Sequence, residues 1–188
     1  MRADSNSPDL VEAFPENLES HVRTVVAIMP AVARPRSPDD IGSITLDGRP
    51  LRIPARIYHP EPDSRDTTSL TAVEQSIAAC LYTRHHDGHV RQRALEVALN
   101  IDEAWAAPFV LQLLGEYVIE LVEMVATVMK GPPRNPFVVF LRENPGFLEL
   151  TSQRATSYWN EYYRTQFWRR EDYPAFSAIM TLREWLPR

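Results

Sequence analysis

The 188-residue chain, 44% apolar and 24% charged, has the composition of a globular protein and excludes a fibrous or wholly disordered one. Its net charge of −5 argues against a dedicated nucleic-acid binder, which depends on Lys and Arg to neutralise phosphates. Cys80 is the only cysteine, so no intramolecular disulfide forms, and Met1 to Pro8 lacks the apolar stretch of a secretory signal.

Residues 1–15 combine Ser, Asp, Asn and Pro with few large apolar groups and read as a disordered tail. From Glu16 to Met29, Leu18, Val22, Val25 and Met29 recur at helical spacing until Pro30 stops the pattern. Ala31 to Asp40 has the make-up of a linker. A β-hairpin is expected near 42–58, where Asp47-Gly48 suits a type I′ turn and places Ile44 opposite Leu51. Pro50 and Pro54 donate no ladder hydrogen bonds, so the second strand belongs at an edge.

Thr71-x-x-Glu74 reads as a capping box opening a helix to about Arg84, with Val73, Ile77 and Leu81 facing inward. Asp87 caps a second helix, Gly88 to Leu99, whose inner face is Val90, Ala94, Val97 and Ala98. The segment from Ala106 to Lys130 predicts one long central helix, ended by Gly131-Pro132-Pro133. Its polar residues, Gln112, Glu116, Glu120, Glu123 and Thr127, form a narrow stripe. Phe109 to Met129 approaches membrane-spanning length, but these carboxylates would be costly in hydrocarbon, so no membrane span is expected. Asn135-Pro136 and Asn144-Pro145 predict helix starts, for a short helix to Glu143 and a longer one from Gly146 to about Thr165. A last helix is expected from Pro174 to Leu186. The expected fold is mostly α, a single helical domain over 16–188 carrying one small β-hairpin.

Asp87-x-x-Val90-Arg91-x-x-Ala94, followed by Trp105-x-x-Pro108, resembles the pattern of a HEAT-type helical hairpin over about 60 residues. The run His85 to Arg91 with Pro108 to Leu121 is also similar to a block found in uncharacterised bacterial proteins. The resemblance implies a helical interaction surface. Three constellations could carry function. His85, His86, Asp87 and His89 are the densest set of potential ligands, and His86-Asp87 resembles the dyad of HD-domain phosphohydrolases. A metal-dependent hydrolase using this loop is one reading; helix capping and an exposed loop is the plainer one. Glu116, Glu120 and Glu123 share a face, as paired acids and bases can, and read more simply as a solvated stripe.

The third constellation is the C-terminal run Tyr158 to Arg170, which interleaves aromatics with arginine. Tyr162, Tyr163, Trp168, Arg169 and Arg170 are its candidate partner surface, because such residues are enriched at protein interfaces. Among basic residues, 19 Arg stand against Lys130 alone, a usage typical of a GC-rich bacterial genome. The leading expectation is a bacterial cytoplasmic interaction or adaptor protein without a cofactor. Its partner is a protein rather than nucleic acid, and self-association is compatible with this reading.

Overall fold

The structure is a computed structural model that describes residues 10–32 and 44–187. It is mostly α with one two-stranded antiparallel hairpin. Contacts group the chain into two compact units, Met1–Ala98 and Leu99–Arg188, where composition predicts one domain over 16–188. No helix among the described residues is long and apolar enough to cross a membrane.

In the first unit, residues 1–9 of the expected tail lie outside the described residues, and the rest of it is not loose. Leu10–Ala13 form a turn of 3-10 helix, and Ala13 and Phe14 are buried. Two apolar side chains suffice because the chain just past the hairpin receives the turn, with the Arg52 amide donating to the Glu12 carbonyl at 2.8 Å. After a 3-10 turn at Glu16–Leu18, α1 (Glu19–Ile28) buries Val22 and Val25 as its spacing predicts. Residues 33–43, which include most of the expected linker and the start of the expected hairpin range, lie outside the described residues.

The hairpin pairs β1 (Ile44–Leu46) with β2 (Arg49–Leu51), with Ile44 opposite Leu51 as expected. Asp47 and Gly48 have φ of 51° and 71°, the left-handed pair a type I′ turn requires. Beyond Leu51 the chain does not continue as a regular strand. Ile57 instead makes an isolated parallel bridge to His85, and the Arg84 guanidinium donates to the carbonyls of Pro54 and Ala55. A one-turn α2 (Ser64–Thr67) precedes α3 (Ala72–Tyr82). The capping box is complete: Glu74 N–H donates to Thr71 Oγ1, and Thr71 N–H donates to Glu74 Oε2 at 2.8 Å. α3 packs on α1 and on α4 (Gly88–Ala98). Ile77 and Leu81 are buried as predicted, but Val73 and Val97 are exposed, and buried Cys80 and Leu95 serve the core in their place.

The second unit corrects the predicted long helix. Residues 104–129 are broken into a 3-10 turn at Ala104–Ala106, α5 (Ala107–Leu111), a 3-10 turn at Gln112–Gly115 and α6 (Ile119–Met129). Between the last two, Glu116 is extended, with φ −106° and ψ 161°. The break coincides with a close approach of a later helix. A Cβ on Gly115 would stand 3.1 Å from Arg154 Cβ and 3.3 Å from the Thr151 carbonyl oxygen, so the helix that carries Thr151 and Arg154 comes closer here than a side chain ordinarily allows. The predicted stripe is split as well. Gln112 and Glu116 are buried, and only Glu120, Glu123 and Thr127 face solvent, on α6.

The remaining helices are α7 (Asn135–Glu143), α8 (Phe147–Tyr158) and α9 (Pro174–Glu184); α7 and α9 are close to their predicted ranges, whereas α8 ends at Tyr158 rather than about Thr165. Asn144 does not cap α8 but closes α7, its side-chain amide donating to the Phe140 carbonyl at 2.9 Å. α6 packs on α9, and α9 on α8, around Leu121, Val122, Val125, Ile179 and Leu182.

Candidate functional site

The histidine loop joins α3 to α4, and its polar atoms are used locally. Asp87 Oδ1 accepts the His89 amide at 2.8 Å, capping α4. That bond, with a second from Val90 N–H, holds the Asp87 carboxyl below its ordinary range. His85 is buried, and its Nδ1 accepts the Asp87 amide at 3.1 Å, which leaves the ring proton on Nε2. Burial lowers the His85 pKa, and neighbouring His86 lowers it further. Arg91 donates to the carbonyls of His85 at 2.8 Å and His86 at 3.0 Å, pinning the backbone. His86 and His89 are exposed, with the His86 ring against His85 and Tyr58. Among the described residues no three His, Cys, Asp or Glu side chains are grouped to hold a metal ion. His85 and Asp87 each bond within the turn, as in the plainer reading of a capped helix and interhelical loop.

The aromatic run is different. α8 passes at Trp159 into one turn of π-helix, Trp159–Tyr163, a widened turn often found at functional positions. Trp159 Nε1 donates to the Phe167 carbonyl at 2.9 Å, and Phe167 N–H to the Tyr163 carbonyl at 2.8 Å, so the segment after the helix folds back on it. Of the predicted surface residues, Trp168 is 82% exposed and Tyr162 61% exposed, with Arg169 and Arg170 also at the surface. Tyr163 is half-buried. Its hydroxyl donates to the Tyr117 carbonyl at 2.5 Å, and burial pushes its pKa up, with the Glu120 and Glu123 carboxylates adding to the rise. Arg170 is held by the fold, its guanidinium 4.2 Å from the centre of the Phe176 ring and 3.4 Å from Ser152 Oγ.

Ring contacts connect the tyrosines of this region into one series. Tyr117 meets Tyr158 at 6.0 Å between centroids, Tyr158 stacks on Tyr162 at 6.3 Å, and Tyr162 touches Tyr163. Tyr163 stacks on buried Tyr173 at 5.5 Å, which Phe167 meets edge-on. Sequence reasoning missed Tyr117 because it assigned the residue to a buried helix. The break after Gly115 is what brings it to the surface, 45% exposed, beside Tyr158. Gly115 itself, inside an apolar run, was the available signal. No family model matches the chain, and neither does any curated protein or solved structure.

Proposed function

We propose that this protein is a bacterial cytoplasmic interaction or adaptor module that binds a protein partner through the Tyr158 to Arg170 surface. The observation that carries this reading is Trp168, the largest side-chain type, left 82% exposed beside exposed Arg169. A tryptophan contributes little to folding when so exposed, and Trp, Tyr and Arg are the residues that dominate interface energetics. Tyr117, Tyr162 and Met180 add exposed apolar area in the same unit. The HEAT-like pattern of the α3–α4 pair is in keeping with a binding role.

The test compares Trp168→Ala and Arg169→Ala with the unaltered chain in its native host. Expected are loss of co-purifying partner and an unfolding midpoint shifted by less than about 0.5 kcal/mol, as for surface changes. Retained partner with intact folding removes this surface. Sedimentation of the purified chain separates self-association from binding of a different protein.

A further inference from the structure

α8 buries Leu148, Thr151, Ser152 and Ala155, and at helical periodicity that face would next arrive at Trp159 and Tyr162. The π turn at Trp159–Tyr163 takes one residue more than an α turn, so the inward register moves on by one. Tyr162 is left 61% exposed, and half-buried Tyr163 takes the inward place. Its ring stacks on buried Tyr173 at the start of α9, with 5.5 Å between centroids and 24° between planes.

This register carries the Tyr163 hydroxyl to the break that precedes α6. Glu116 and Val118 are extended there, and the Val118 N-cap offers no side-chain bond to the helix. The Leu121 amide turns to the Val118 carbonyl, so the Tyr117 carbonyl and the Ile119 amide take partners from outside α6. One phenol serves both, because its oxygen donates and accepts at once. It donates to the Tyr117 carbonyl at 2.5 Å. Burial raises the Tyr163 pKa, and the hydrogen bond that the Ile119 amide gives the same oxygen opposes that rise.

The main chain of Tyr163 holds the other side. Its carbonyl accepts the amides of Gln166 at 3.0 Å and Phe167 at 2.8 Å. The Phe167 carbonyl accepts Trp159 Nε1 at 2.9 Å, and the Phe167 ring meets Tyr173 edge-on. Trp168 and Arg169 follow directly in the chain, so their placement depends on the residue that carries both sets of bonds.

We propose that Tyr163 is the positioning residue of the Tyr158 to Arg170 surface: its hydroxyl latches that surface to the break before α6, and the aromatic segment keeps its binding shape only while the latch is closed. This inference rests on the interaction-surface reading and adds what sets the shape of that surface. A partner that favours the closed latch is in turn favoured by it, to the same factor.

The experiment compares Tyr163→Phe, which keeps the ring on Tyr173 and removes the hydroxyl, with Tyr173→Phe, which removes a buried hydroxyl that has no hydrogen-bond partner. Amide exchange of the purified full chain is followed by NMR. Expected in Tyr163→Phe is exchange faster by roughly tenfold at Ile119 and Phe167, with Val125 of α6 and Leu182 of α9 unchanged, because a local opening leaves the helix interiors closed. Uniform acceleration, or none at Ile119 and Phe167, overturns the latch. Binding is read with the tagged chain in native-host extract, the probe being the proteins that Trp168→Ala loses, quantified by mass spectrometry. Tyr163→Phe should recover them at least about fivefold less well, and Tyr173→Phe in full. Full recovery by Tyr163→Phe, where Trp168→Ala loses them, overturns the positioning role alone. If Trp168→Ala loses nothing, the surface reading falls and this inference with it.

Discussion

Gly115→Ala separates the broken helix from the continuous one by the sign of its effect. In an uninterrupted helix over 106–130, alanine in place of an interior glycine would stabilise by about 1 kcal/mol through helix propensity. In the structure the added methyl meets Arg154 Cβ at 3.1 Å and the Thr151 carbonyl oxygen at 3.3 Å. Neither is the free end of a flexible side chain, so α8 must shift, and overpacking of this kind costs roughly 1–3 kcal/mol. The lower entropy of the unfolded alanine chain offsets about 0.4–1 kcal/mol of that. The net expectation is a loss of about 1–2 kcal/mol, read as a lower urea midpoint at unchanged slope. A raised midpoint would refute the close approach of α8 and restore the continuous helix. Because Tyr117 follows the break, the same variant should also weaken partner binding.

Phe14→Ala tests the correction to the tail: with Phe14 only 3% exposed, its truncation should cost about 3 kcal/mol or more, and a neutral result would return residues 10–15 to a loose segment. Tyr173→Phe removes a buried hydroxyl that has no hydrogen-bond partner in the structure, so stability should hold or rise by up to about 1 kcal/mol in thermal unfolding. A clear loss would show that the hydroxyl is bonded. His85, buried and with its pKa lowered from the ordinary 6.5, binds a proton more readily unfolded than folded. Its contribution is therefore full above 6.5 and is lost as pH falls through that value toward the folded pKa. His85→Asn, which keeps an acceptor for the Asp87 amide, should flatten the fall in melting temperature between about pH 7 and 5; an unchanged slope would place the titration elsewhere.

Local signals were legible in the sequence wherever a few neighbouring residues decide the outcome. Thr71 and Glu74 close their capping box within one turn, and Asp47-Gly48 turns the hairpin through its own positive φ angles. Asp87 caps α4 because the acceptor and the donor it serves are two residues apart. The mostly α class and the helix spans from Asn135 onward followed from periodicity and proline placement. What depended on distant partners was not legible. Periodicity alone runs through Gly115, where the chain breaks beside α8, a neighbour more than thirty residues later in the sequence. For the same reason Gln112 and Glu116, polar residues in the predicted stripe, are buried while Tyr117 is exposed. The histidine cluster shows the limit from the other side. Four ligand-type residues adjoin in sequence, yet a metal needs side chains that converge in space, and here Asp87 and His85 bond to the turn that carries them. Composition singled out Tyr162, Trp168 and Arg169; their standing at the surface, and the contact of Tyr117 with Tyr158 beside Tyr162, were decided by tertiary packing, because exposure depends on which neighbours the fold brings up.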